Sequence, residues 1–246
     1  MHYSKLISSL IFILCSFMAT SQPIKDTITE LKTDRTGQAI YKAPNGKTYK
    51  VRFVSDPSVP FSPQTLKCGE DIYSGKDRAA AKTSYVKGIS TTSFNSIAQM
   101  LASLPSDATI RPKLTTKSKR IADENKNVRL DKNIFLYAMK SESDNDYHII
   151  VGDNKTLSKA TLLNIEISGV PASGNAAIQK VRDFFETNFV KLCGTKYAVF
   201  TGNPIPIKIS GSVFYDVDHP AGQVGPTGLR PKTSWEIHPI ADITMK

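Results

Sequence analysis

Cysteine, histidine and tryptophan are scarce in this chain, at 3, 4 and 1 in 246 residues. So few cysteines exclude a disulfide-dense scaffold, and with four histidines they fall short of a zinc-ribbon array. Long apolar runs are missing as well. The single candidate, Leu6 to Met18, is 13 residues long, and a helical span needs about 20. Acidic residues are the minority: 22 Asp+Glu stand against 32 Lys+Arg, for a net charge of +10. No repeat occurs at solenoid periods. Apolar residues still make up 40%, enough for a packed core in one or two domains.

The N-terminus reads as a secretory signal over residues 1–21. Lys5 is the positive residue before the apolar run, and Ala19 and Ser21 are the small residues before a cleavage site at Gln22. A transmembrane anchor is the competing reading. Cys15 lies inside the apolar run behind Ile13 and Leu14, so it is a poor lipoprotein cysteine. Cleavage removes Lys5, which leaves 31 basic against 22 acidic residues and a charge of +9. It also leaves two cysteines, Cys68 and Cys193, and three histidines, His148, His219 and His238. Two cysteines in an exported chain predict one disulfide, worth ~4–5 kcal/mol for so long a loop, against the alternative of two buried thiols. The predicted location is secreted or periplasmic.

Residues 22–38 form a polar leader without pattern. Residues 39–126 read as an upstream β/α segment ending in a basic connector. Asn45-Gly46 between two β-prone runs predicts a hairpin over 39–54. Phe94, Ile97, Ala98, Leu101 and Leu104 predict a helix over 93–104, capped by Thr92 or Ser93 and stopped by Pro105. The window 111–132 carries eight basic and three acidic residues, +5 net.

Residues 127–246 have a clearer pattern. Strands are predicted at Val128–Met139, Tyr147–Val151, Leu162–Ile167, Ile205–Tyr215 and Ser234–Ile243. An amphipathic helix over Asn175–Val190 sets Ile178, Val181, Phe185 and Phe189 on one side. A Gly/Pro-rich loop spans 216–232. Three strands, a helix and two strands is the order of an OB-fold, a five-stranded Greek-key barrel. The predicted class is therefore mainly β (α+β), with an OB-like domain over 127–246.

Three segments carry a resemblance: Lys140-Ser-Glu-Ser-Asp-Asn-Asp-Tyr-His-Ile, Phe214-Tyr-Asp-Val-Asp-His-Pro-Ala-Gly-Gln-Val-Gly-Pro and Trp235-Glu-Ile-His-Pro-Ile. Together they resemble a group of uncharacterised, mostly exported bacterial proteins. In that group a D-x-D-Y-H hairpin and a W-E-I-H-P last strand recur on an OB-type domain. Cys68 to Leu104 resembles the region upstream of that domain, so the likeness covers most of 68–246. It implies fold and export but no activity.

All three histidines of the mature chain lie in those segments, each near a carboxylate. Asp146 and His148 are two apart on one strand, as are Glu236 and His238, so each pair shares a face. Asp216, Asp218 and His219 lie where the fourth strand enters the long loop. One reading is a divalent-metal or acid–base site, with Asp146, His148, Asp216, Asp218 and His219 as ligands and Glu236, His238 and His219 as catalytic groups. A divalent metal would then be the cofactor. The other reading is a buried hydrogen-bond network that fixes loop geometry. Asp144 and Asp146 would then serve the turn, and Pro239 would mark a bulge or edge.

The basic connector points to a polyanion, with nucleic acid, glycan and membrane surface as candidates. Lys117, Lys119, Arg120 and Arg129 are the candidate cations. Trp235 is the candidate stacking ring, with Tyr137, Tyr147, Phe214 and Tyr215 as further aromatics. A staphylococcal-type nuclease is disfavoured, because Arg129, Arg182 and Arg230 are the only arginines over 127–246 and none lies in such a motif. No G-x-S-x-G elbow occurs. Gly222, Gly225 and Gly228 lie in a Pro-rich loop rather than after a strand. Asn154-Lys-Thr156 is a glycosylation sequon only in a eukaryotic host. Three functions stay open: a polyanion-binding or nucleic-acid-binding module, a metal-assisted hydrolase such as a nuclease, and a structural accessory domain. Whether the chain is an enzyme, and its oligomeric state, are not decided by the sequence.

Overall fold

Alternation of apolar and polar residues over most of 127–245 commits the chain to strands, and five of them close on one another. The computed structural model describes residues 30–33, 39–42, 46–55, 71–189, 196–200 and 202–245. The strands are β1 (Glu30–Thr33), β2 (Ala39–Lys42), β3 (Thr48–Ser55), β4 (Thr91–Phe94), β5 (Asn127–Ser141), β6 (Tyr147–Gly152), β7 (Leu162–Ile167), β8 (Lys196–Val199), β9 (Ile205–Tyr215) and β10 (Trp235–Met245). The α-helices are α1 (Ala79–Lys82), α2 (Ile97–Ala102), α3 (Asp107–Ile110) and α4 (Ala176–Asn188).

The barrel runs β5-β6-β7-β10-β9 and closes because β9 pairs back onto β5. All its pairings are antiparallel except β7–β10, which is parallel. With α4 between its third and fourth strands, this is an OB-like barrel, as predicted. Closure removes the sheet edges that the five strands would otherwise expose. Register breaks shape the wall. One lies between Leu130 and Ile134 of β5, where Asn133 takes φ +51°. Another brackets Pro239 in β10, the bulge expected there.

Ile149 and Val151 of β6, Leu163, Ile165 and Ile167 of β7, Val213 and Tyr215 of β9 and Trp235 and Ile237 of β10 fill the interior. α4 packs Ile178, Val181, Phe185 and Phe189 inward, the line predicted for it. Asn175 caps it by accepting from the amides of Ala177 and Ile178. Phe185 and Phe189 stack 4.9 Å apart, and Tyr147 lies 5.1 Å from Phe185.

Upstream, β2 and β3 form the predicted hairpin. β8, which the sequence did not suggest, links β3 to β5. The predicted helix over 93–104 divides. Thr91–Phe94 instead becomes β4, a parallel partner of β5, and the helix starts later. Ser96 rather than Thr92 or Ser93 caps it, accepting from Gln99 N. Strand pairing wins because it satisfies main-chain groups that the first turn of a helix would leave open. Ile97, Met100, Ile110 and Leu114 join the same apolar core as the barrel. No helix among the described residues is long and apolar enough to cross a membrane. Residues 1–21, Cys68 and Cys193 lie outside the described residues, and so do the predicted signal and bridge.

Candidate functional site

Strand alternation that sends apolar residues into the barrel sends the others outward. Along four adjacent strands those outward residues are ionisable or amide side chains: Asp146 just before β6 and His148 on it, Asn164 and Glu166 on β7, Glu236 and His238 on β10, and Asp216 just past β9. Cross-strand register lines them up. Lys140 of β5 faces His148, and His148 faces Glu166. Asn164 faces Glu236. An outer wall of this kind would ordinarily meet water. Here the 71–126 segment and the 216–234 loop cover it, and every one of these residues is buried.

Glu166 is the hub. Its Oε1 lies 2.7 Å from His148 Nε2 and accepts from Asn164 Nδ2 at 2.8 Å. Its Oε2 lies 2.9 Å from His238 Nδ1. Asn164 also donates to Glu236 Oε1 at 2.8 Å. His238 Nε2 is 3.4 Å from Asp146 Oδ2, and Asp146 Oδ1 accepts from Gly169 N at 2.6 Å. His148 Nδ1 reaches Glu142 Oε1 at 2.8 Å, the oxygen that Lys140 Nζ also reaches at 2.7 Å. At the rim, His219 Nδ1 meets Asp216 Oδ2 at 2.6 Å, and the His219 and His148 rings sit edge-on, 5.9 Å apart. The side chain of His219 is 41% exposed, against 7% for His148 and 0% for His238.

Several of these contacts are short but misaligned. Asp146 Oδ2, Glu166 Oε2, Glu236 Oε2 and both ring nitrogens of His238 have no aligned hydrogen-bond partner, although all are buried. A buried polar atom in that state costs ~1–3 kcal/mol. The acceptor and donor atoms of Asp146, Glu166 and His238 also lie within 4.8 Å of one another, as do those of Glu166, Asp216 and Glu236.

Charge in the wall is divided by environment. Burial pushes Asp146 up to about 8, helped by Asp144 and opposed by His238. Burial and then the neighbouring Glu166 push Glu236 up to about 7. Burial would also raise Glu166, but His148 and His238 outweigh it and hold that carboxyl well below its usual range. The two histidines respond in kind. Burial lowers each, yet the carboxylates win: Glu142 and Glu166 lift His148 well above its ordinary value, and Glu166 lifts His238 to about 9. The hydrogen bond to Asp216 raises His219. Burial also works against Lys82, the last residue of α1, but Glu166, Asp216 and Asp146 raise it well above its ordinary value.

The covering segment is attached at defined points. Arg78 pairs with both oxygens of Glu124 at 2.8 and 2.6 Å and donates to Tyr215 O at 2.7 Å. Its guanidinium lies 4.5 Å over the outward ring of Phe214. Ile72 bridges to Val170, and Gly169 permits that approach: a Cβ there would sit 2.7 Å from Tyr73 Cα.

The three histidines singled out from the sequence therefore converge, because β7 lies between β6 and β10 and pairs with both. Asp146 faces the wall, while Asp144 makes the turn, accepting from Asp146 N through Oδ1. Asp218 stays half-buried outside the cluster. Four participants were not anticipated: Glu166, Asn164, Glu142 and Lys82. Glu166 and Asn164 had a signal, since they alternate with the apolar residues of β7. Lys82 had none, because α1 spans only four residues.

The proposed binding residues separate. Lys117 and Lys119 line an open cleft of about 1080 Å3. Arg120 lines it as well, but its donors go to the carbonyls of Ala81, Val213 and His238, so it is a brace rather than a free cation. Arg129 is exposed on β5, away from that cleft. Trp235 offers no stacking face. It is 2% exposed, packs edge-on to Tyr215 and donates to Pro105 O, because its position in β10 points into the barrel. Tyr137, Tyr147, Phe214 and Tyr215 are buried too. Compared with protein families, curated proteins and solved structures, the chain matches none of them.

Proposed function

We propose that the outer wall of the barrel is the centre of a metal-assisted hydrolase. One observation carries the reading: Asp146, Glu166 and His238 aim buried atoms without aligned partners into one space less than 4.8 Å across. Carboxylate and imidazole donors at such separations suit zinc, manganese or iron. A divalent ion there would offset the unsatisfied atoms and supply Lewis-acid polarisation of a substrate oxygen.

The chain's own residues would do the rest. Asp216 holds Nδ1 of His219, which leaves Nε2 of this histidine, the one well exposed among the described residues, as the acceptor for the proton of an attacking water. His148, whose Nε2 lies 2.7 Å from Glu166 Oε1, keeps Glu166 in place. The net charge of +10 favours an anionic ester, and a phosphodiester fits that class. Residues 1–21 read as an export signal, which would place the reaction outside the cytoplasm, as in the exported group whose segments this chain resembles.

Metal analysis and calorimetric titration of the full chain with zinc and manganese test the reading, together with cleavage of single-stranded DNA in their presence. The expected results are about one ion per chain, binding weakened at least tenfold in Glu166→Gln and His238→Ala, and cleavage reduced ~100-fold or more in His219→Ala. His219 is at the rim, so its variant should fold normally, as a thermal melt would show. Neither metal binding nor cleavage in the intact chain would overturn the proposal.

A further inference from the structure

A second feature lies on the far side of the covering segment. An open cleft of about 1080 Å3 runs between residues 76–89 and the connector at 116–120. Its walls are clasped reciprocally. Arg78, from the first wall, donates to the carbonyls of Ser118 and Lys119 on the second. Arg120, from the second, donates to those of Ala81 and Ser84 on the first. The backbone adds Arg78 N to Thr116 O at 3.0 Å. Both arginines are thus spent on holding the cleft open.

What remains for a ligand is strongly one-sided. Lys76, Lys87, Lys117 and Lys119 line the cleft, all exposed and none paired with a carboxylate among the described residues. Asp77 is the one acid in the lining. Apolar surface is interleaved with this charge. Tyr85 lines the cleft with its ring fixed, because its hydroxyl donates to Ile240 O at 2.8 Å. Ile89 beside it is 48% exposed.

Four free cations, a fixed ring and an exposed aliphatic side chain match a ligand that alternates anionic groups with flat apolar faces. We infer that this cleft binds single-stranded nucleic acid, its lysines meeting phosphates and Tyr85 stacking on a base. A sulfated glycan would satisfy the lysines but leave the ring without a partner. A duplex would keep its bases from Tyr85. The inference is independent of the metal centre, because none of the cleft residues belongs to it.

Fluorescence anisotropy of a labelled oligothymidylate with the full chain, in EDTA, tests it without engaging any metal. Four phosphate contacts predict a slope of about −3 in log K against log salt, at roughly 0.7 per contact for a single strand. Lys117→Ala with Lys119→Ala should weaken binding at least tenfold and bring the slope to about −1.5. Tyr85→Leu should weaken binding at least fivefold, and Tyr85→Phe, which keeps the ring, should bind as the parent does. Thermal melts check that each variant is folded. Binding of a heparin fragment or of duplex DNA as tightly as the single strand would overturn the inference. So would a slope unchanged by the lysine pair, or a Tyr85→Leu protein that binds normally.

Discussion

Glu142 shows how a single residue couples the wall to pH. Its Oε1 lies within 2.8 Å of both Lys140 Nζ and His148 Nδ1, and its side chain is 19% exposed. Burial would raise its pKa, but His148 and Lys140 outweigh burial and hold it at about 2 against an ordinary 4.5. A depressed carboxylate stabilises the fold fully above its unfolded value and loses that contribution as it protonates. The stabilisation is therefore present above pH 4.5 and lost between 4.5 and about 2. Glu142→Gln should cost about 2 kcal/mol at neutral pH and make the acid limb of stability shallower across that window. Urea melts at several pH values would show it. Parallel curves for the two proteins would mean that Glu142 contributes nothing to acid stability.

The same scale explains which site residues could be read from sequence. Asp146 with His148 and Glu236 with His238 were legible because a two-residue spacing on a strand fixes a shared face. Glu166, the hub of the cluster, was visible only as the polar face of a strand, without a neighbour in sequence to mark it. Glu142 sits in what read as a turn, and its role depends on a hairpin that folds it back over His148. Trp235 misled because a lone tryptophan in a basic chain suggests stacking, whereas its parity in β10 places it inside.

At the level of elements, the barrel was largely legible, and of the upstream segment only the hairpin of β2 and β3 was. Each barrel strand is long enough for alternation to show, and α4 carries a full apolar stripe. β8 has four residues and α1 also has four, too few for any period. The helix over 93–104 was half right, because its apolar spacing is real but its first turn belongs to β4. The cap that replaces the predicted one can be tested. Ser96 Oγ accepts from Gln99 N at 3.1 Å, while Gln99 Oε1 accepts from Asn95 N at 2.8 Å. Ser96→Ala should cost about 1 kcal/mol, a fall of roughly 2–4 °C in Tm for a chain of this size. Ser93→Ala, exposed in β4, should change Tm by less than about 1 °C, in line with surface substitutions generally. Equal effects from the two would place the helix start back at 93.

For the whole molecule, sequence pattern divides the chain at 126/127, but the core does not. Ile97, Met100, Ile110 and Leu114 of the upstream segment share one apolar cluster with the barrel interior. The charged outer wall depends on the same segment, which supplies Lys82 and Arg78 and keeps Asp146, Glu166, Glu236 and His238 out of water. Taken away, it would expose core residues on one side. On the other it would leave Glu166 and Asp216 facing solvent without the Lys82 cation. β5 would lose its parallel neighbour along Asn127–Leu130. A fragment of residues 127–246 should therefore fail to melt cooperatively and should bind a hydrophobic dye, while the full chain unfolds in one transition. Calorimetry and dye fluorescence on the two proteins decide it. A fragment that melts cooperatively within a few degrees of the full chain would show that the barrel folds alone, and that its wall tolerates water. The buried, misaligned polar atoms of Asp146, Glu166 and His238 would then owe nothing to their cover, and the segment at 71–126 would be an attachment to the centre instead of part of its construction.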